Sequence, residues 1–98
     1  MPREAVHQLL ATDVALDKLG ARGISAGEAE QLPRNRHVVV RNPRQGTEGG
    51  DRRLLVGRTD GERPLTLVIE RTQDPTTWLV VTGWVSTATE RRIAEARR

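Results

Sequence analysis

Ten side chains have the types and settings that could carry chemistry: His37, Arg41, Arg53, Arg58, Glu70, Arg71, Thr82, Trp84, Glu90 and Arg91. Metal-free cleavage of RNA needs a base for the 2′-hydroxyl, cations for the charge on the phosphorane, and an acid for the leaving oxygen. Histidine and glutamate can move the protons, arginine can hold the phosphate, and an indole face can stack a base. On this reading Arg58, Glu70 and His37 are the catalytic candidates. Arg41, Arg53, Arg71, Trp84 and Arg91 are the RNA-binding ones. Plainer uses compete with it. Arg58 and Glu70 can be a cross-strand ion pair worth ~0.2–1 kcal/mol, and Trp84 can close the core against a last helix.

Other chemistries leave no trace. Gly46-Thr-Glu-Gly-Gly50 lacks the Lys-Ser/Thr and the flanking strand of a phosphate-binding loop. HExxH, EF-hand and dinucleotide fingerprints are absent. His7 and His37 stand alone, below what a metal site requires, so neither metal nor cofactor is expected. With no cysteine, disulfides, thiolate zinc sites and cysteine nucleophiles are excluded.

The chain has 98 residues, the size of one domain, and residues 1–98 read as such. Its hydrophobic share of 36% includes only 2% aromatics, so Val, Leu, Ile and Ala must build the core. Small exported domains usually carry disulfides. The cysteine-free composition, the lack of an apolar leader and the lack of a long apolar run make the expectation a soluble, cytoplasmic protein without membrane contact.

Net charge is +3, unevenly spread. Residues 34–58 hold seven arginines (34, 36, 41, 44, 52, 53 and 58) against Glu48 and Asp51, a local +5. Residues 91–98 hold four arginines against Glu95. Such patches suit phosphate or an acidic partner. Fifteen arginines to one lysine also fit mere genomic bias, with arginines serving solubility.

Elements must position these groups. Residues 5–11 are apolar on both faces and read as a short strand or a helix start. Asp13 is a candidate N-cap for a helix to about Leu19, stopped by Gly20 and Gly23. Ser25 and Glu28 have capping-box spacing, opening a helix over 26–32 that Pro33 ends. Residues 37–41, 52–58, 64–71 and 78–85 read as strands. They are separated by a loop over 42–51, by Thr59-Asp-Gly-Glu62 with its Asp-Gly hairpin signature, and by a turn around Pro75. Leu65, Leu67 and Ile69 should share one face. Thr87 and Glu90 form a second capping box, starting a helix whose thin apolar stripe is Ile93 and Ala94. The expected fold is α+β: an N-terminal helical hairpin, an antiparallel sheet of three to four strands, and a C-terminal helix.

Three stretches resemble the BrnT-type toxins of type II toxin–antitoxin systems. Leu-Asp-Lys-Leu-Gly-Ala-Arg-Gly-Ile-Ser (16–25) with Glu28-Ala-Glu30 is similar to their K-x-x-x-H/R-G-I/V-S-x-x-E-A hairpin, and to the R-G-I-S opening of a related uncharacterised family. Leu-Val-Gly-Arg-Thr-Asp-Gly-Glu-Arg-Pro-Leu (55–65) resembles x-x-G-R-T-D-G-G-R-x-L. Val-Thr-Gly-Trp-Val-Ser-Thr-Ala-Thr-Glu-Arg (81–91) resembles I-S-A-R-R-A-T-x-x-E-R. Order and spacing agree over residues 13–92.

The resemblance implies a RelE-like fold, ribonuclease activity and neutralisation by a cognate antitoxin. Two family arginines of the last strand fall on Trp84 and Val85, and the family histidine falls on Arg22. Gly57-Arg58 and Glu90-Arg91 match. The expectation is a metal-independent ribonuclease with RNA and an antitoxin as partners. The alternative is a non-catalytic interaction domain of the same fold that receives an acidic partner protein on its arginines.

Overall fold

A computed structural model describes residues 4–41 and 52–97. The element order is β1 (Gln8–Ala11), α1 (Asp13–Ala21), α2 (Ala26–Gln31), a 3-10 turn (Leu32–Arg34), β2 (His37–Arg41), β3 (Arg52–Arg58), β4 (Pro64–Arg71), β5 (Thr77–Val85) and α3 (Ala88–Ala96). The chain is thus α+β. The loop expected over 42–51 lies outside the described residues.

The sheet has five strands in the order β1-β5-β4-β3-β2. Pairing among β2, β3, β4 and β5 is antiparallel. The expected antiparallel sheet of three to four strands is corrected by β1, which adds a fifth strand parallel to β5. Residues 5–11 left strand and helix open because their apolar run has no period. The choice is made by long-range pairing, Gln8 with Thr77 through Ala11 with Val80.

The two faces of the sheet are covered by different helices. On one face Leu55, Leu65, Leu67, Ile69, Trp78 and Val80 pack against Leu19 of α1, Ile24, and Ala29 and Leu32 around α2. On the other, Leu54, Val56 and Val68 form a smaller cluster with Val81, Trp84 and Ala94 of α3. The period of two in β4 sorts its side chains as expected. In β5 it is broken, because Val68 pairs with Thr82 while Ile69 pairs with Val80. The extra residue is a bulge that shifts the phase of everything after it. Trp78 and Val80 therefore face α1, and so does Gly83, three residues on.

That glycine is required by close approach. A Cβ there would stand 2.9 Å from the Thr66 carbonyl oxygen and 2.6 Å from a Leu67 methyl. Leu19, wholly buried, seats α1 on the sheet at this point.

Helix starts follow local chemistry. The cap of α1 is Thr12 rather than Asp13: its hydroxyl accepts from the Ala15 amide, and Asp13 sits in the first turn, where the helix dipole favours it. Both capping boxes form, at Ser25 with Glu28 and at Thr87 with Glu90. Pro33 falls inside the 3-10 turn, since its missing N–H is not needed in a first turn.

The connection from β3 to β4 is held from outside. Thr59 donates its N–H to the Arg63 carbonyl, and Glu62 donates to Thr59. Among the described residues the only positive φ values are at Gly23 and Glu62, the latter 68°. A two-residue Asp-Gly turn would put both Asp60 and Gly61 at positive φ. The left-handed residue is instead Glu62, the place where the resembled motif has glycine. The turn is braced by α2. Arg63 donates to both oxygens of Glu28, at 3.0 and 2.9 Å, and to the Gly23 carbonyl. Gln31 accepts the Asp60 amide.

Glu28 is consequently held below its ordinary value of 4.5, first by the Ser25 backbone amide and then by the Arg63 guanidinium. A lowered carboxylate stabilises the fold at pH above its unfolded value and loses that contribution as pH falls through the folded one. Glu28→Gln should therefore lower stability at neutral pH by about 1 kcal/mol, a charge-assisted bond partly open to water. The gap to wild type should close as pH drops below the usual carboxylate range. Urea melts at pH 7 and pH 3 check this; a gap that stays constant would contradict it.

Candidate functional site

The end of the sheet where β2 begins and β3 ends carries a cleft under α3. Its polar lining is Arg36, His37, Arg58, Arg91 and Glu95, over an apolar floor that includes Val56 and Ala94. Its room is about 60 Å³.

Local structure explains why these residues meet. His37 opens β2 and pairs in register with Gly57. A Cβ on Gly57 would lie 3.1 Å from the His37 Cβ, 3.3 Å from the Arg36 carbonyl oxygen and 3.3 Å from Leu32. The missing side chain thus lets the start of β2 come close to β3, beside Arg58. Asn35 fixes the junction, its amide donating to the Arg58 carbonyl at 3.0 Å and to Asp60 at 2.9 Å.

His37 is held in one tautomer. Its Nδ1 lies 2.8 Å from the Asn35 carbonyl oxygen. A carbonyl only accepts, so Nδ1 carries the proton and, in the neutral ring, Nε2 carries the lone pair. That is the form in which an imidazole can act as a base. Arg58 donates from one terminal nitrogen to the Glu62 carbonyl at 3.1 Å. Among the described residues, Arg36, Arg58 and Arg91 make no ion pair.

The third wall is α3, and Glu90 anchors it. One Glu90 oxygen accepts from the Thr87 amide at 2.8 Å, from the buried Thr66 hydroxyl at 2.9 Å and from the Trp84 indole at 3.0 Å. Arg91 and Glu95 then share one helix face, being four apart.

The structure therefore brings together two of the expected side chains, Arg58 and Arg91, and sets His37 at the rim: its Cβ lies with Gly57 and Leu32 on the α2 side of the sheet, while Val56 and, by alternation, Arg58 lie on the α3 side. It does not bring Glu70 to them. Glu70 pairs in register with Arg52, at the opposite end of β3, and accepts from the Arg52 guanidinium at 3.0 Å. At ~3.3 Å per residue, the stretch from Arg52 to Arg58 puts it roughly 20 Å away. Arg53 and Arg71 sit at that far end too, both bound to Glu4, with Arg71 also stacked 5.1 Å from the Trp78 ring centre. Arg41 pairs there with Arg53. Trp84 lies outside the cleft lining, its indole N–H on Glu90 and Arg22 5.8 Å over its ring.

Two polar lining residues were not among the site candidates. Glu95 stands one turn after Arg91, a spacing the sequence shows, and Arg36 was counted only within the basic stretch over 34–58, because the residue before a strand has no pattern to place it. Among the described residues no group of three or more His, Cys, Asp or Glu gathers to hold a metal ion, and no helix is long and apolar enough to cross a membrane. No family model, curated protein or solved structure matches the chain.

The role of Glu90 is testable apart from any activity. Glu90→Ala removes a cap worth about 1 kcal/mol and leaves the Trp84 indole without its acceptor. Stability should fall by about 1–3 kcal/mol, with a shift in tryptophan emission. Unchanged emission together with an unchanged melting temperature would show that Glu90 does not hold α3.

Proposed function

We propose that this chain is a metal-independent, cytoplasmic ribonuclease of the toxin type, on a RelE-like arrangement and neutralised by a cognate antitoxin. One observation carries the reading: three arginines without ion pairs among the described residues line a single cleft, at whose rim His37 stands. His37 Nε2 is the base that takes the 2′-hydroxyl proton. As the 2′-oxygen bonds to phosphorus, Arg58, Arg36 and Arg91 stabilise the growing charge. The 5′-oxygen leaves with a proton, for which Glu95 is the carboxyl group at hand; Glu70, expected to share the proton work with His37, lies at the other end of the strand. The product is a 2′,3′-cyclic phosphate and a 5′-hydroxyl.

The charge distribution favours this end over the other. Arg52, Arg53 and Arg71 are matched by Glu70 and Glu4, whereas the cleft arginines are not so matched. The same charges would receive an acidic partner protein, and the test separates the two. Purified protein is incubated with RNA in the presence of a chelator, for wild type, His37→Ala, Arg58→Ala and Arg58→Lys.

Cleavage by wild type should persist with chelator and fall about 10²–10³-fold in Arg58→Ala. Arg58→Lys should resemble it, because lysine cannot bind two phosphate oxygens bidentately. Melting temperatures should stay within the ~1 kcal/mol of a surface pair. Intact RNA with wild type would sink the ribonuclease reading in favour of the acidic partner. Affinity for RNA should also weaken steeply with salt, since arginine–phosphate contacts release counterions. A flat response between 50 and 200 mM, roughly the span over which such contacts report, would remove the electrostatic argument.

A further inference from the structure

Arg36 and Arg58 line a second depression as well. On the side away from α3 it is bounded by Asn35, Thr59, Asp60 and Glu62. The two hollows therefore meet at a shared pair of arginines. Their sizes differ. The cleft beside His37 is the smaller, with about 60 Å³ of room. The depression beyond the arginines offers about 400 Å³, within the ~300–1,000 Å³ of small-molecule sites.

We infer that this depression is a base-binding subsite and that it prefers guanine next to the phosphate held by Arg36 and Arg58. The inference rests on the ribonuclease reading and adds to it a substrate preference. The lining chemistry selects the base. Asp60 already accepts from Asn35, while the exposed Glu62 carboxylate makes no hydrogen bond among the described residues. Its backbone carbonyl is bound by Arg58, so the main chain that carries it is tied to the phosphate-binding residue. A carboxylate only accepts, with two oxygens side by side. Guanine alone among the four RNA bases offers two adjacent donors on one edge, N1–H and the 2-amino group, and can pair with it bidentately. Uracil has one donor there, and adenine and cytosine a single amino group flanked by an acceptor.

The probe is a set of short, labelled 2′-O-methyl oligonucleotides, which lack the attacking hydroxyl and so report binding alone. Each is uridine throughout except for one guanosine or one inosine, the latter lacking only the 2-amino group. Fluorescence anisotropy at low salt compares wild type, Glu62→Ala and Glu62→Gln, with folding checked by circular dichroism. Wild type should bind the guanosine strand about tenfold tighter than the inosine strand, the scale of a bidentate base contact. Glu62→Ala should bind both alike, and Glu62→Gln should discriminate less than wild type. Equal binding of the two strands by wild type, or discrimination that survives in Glu62→Ala, overturns the guanine subsite and leaves the ribonuclease reading standing. Failure of every strand to bind overturns both.

Discussion

The Arg63 guanidinium bridges parts of the chain that are far apart in sequence. From the turn between β3 and β4 it reaches both Glu28 oxygens and the Gly23 carbonyl, joining the helical pair to the sheet at the end where the cleft lies. The tie works in both directions. Glu28 is already engaged by Ser25 in its capping box, so the helix start and the turn share one carboxylate. Gln31 and Asn35 continue the brace along the same segment, binding Asp60 and the Arg58 carbonyl. Arg58 is thereby fixed by its main chain, independently of what its side chain holds. A rigid strand end carrying a guanidinium not committed to an ion pair among the described residues is the arrangement that preorganised charge stabilisation needs.

Two carboxylates organise the molecule, and both were visible as capping boxes. Glu28 ties α2 to the β3–β4 turn, and Glu90 ties α3 to β4 and β5 through Thr66 and Trp84. The local pattern, Ser or Thr three residues before Glu, announced the helix starts. It did not announce the second set of bonds, because those depend on which strand residue the folded sheet presents. The same holds for Trp84. Its packing against the last helix was among the uses the sequence offered, and it is found there; its bond to the Glu90 carboxylate was not legible. The bulge at Val81, invisible in the sequence, decides which face the indole occupies.

Strand and helix positions were legible because β-branched runs, alternation and caps are local signals. The edge strand β1 was not, since its assignment rests on a parallel partner some seventy residues away, Gln8 against Thr77. The site divided along the same line. His37 and Arg58 were picked for their types, and the pairing of His37 with Gly57 brought them to the same end of the sheet. Glu70 was picked for its type as well, but the antiparallel register carries it to the other end, opposite Arg52. Residue type nominates candidates. Register decides which of them can act together.

The resemblance that the sequence carries can be weighed on the same physical basis. Its first stretch contributes Gly23 and Glu28, its second Arg58 and Arg63, its third Glu90 and Arg91. Four of these six make structural ties: Arg63 to Gly23 and Glu28, and Glu90 to Thr66 and Trp84. Such residues bear on how the chain is held together. Arg58 and Arg91 are the two that face the cleft, and Trp84 and Val85 occupy positions where the resembled motif has arginines. Trp84 turns to Glu90 instead of offering charge. The cationic lining is completed from elsewhere, by Arg36 at the entry to β2. The lining arginines of this chain are thus Arg36, Arg58 and Arg91, assembled where Gly57 lets β2 close upon β3.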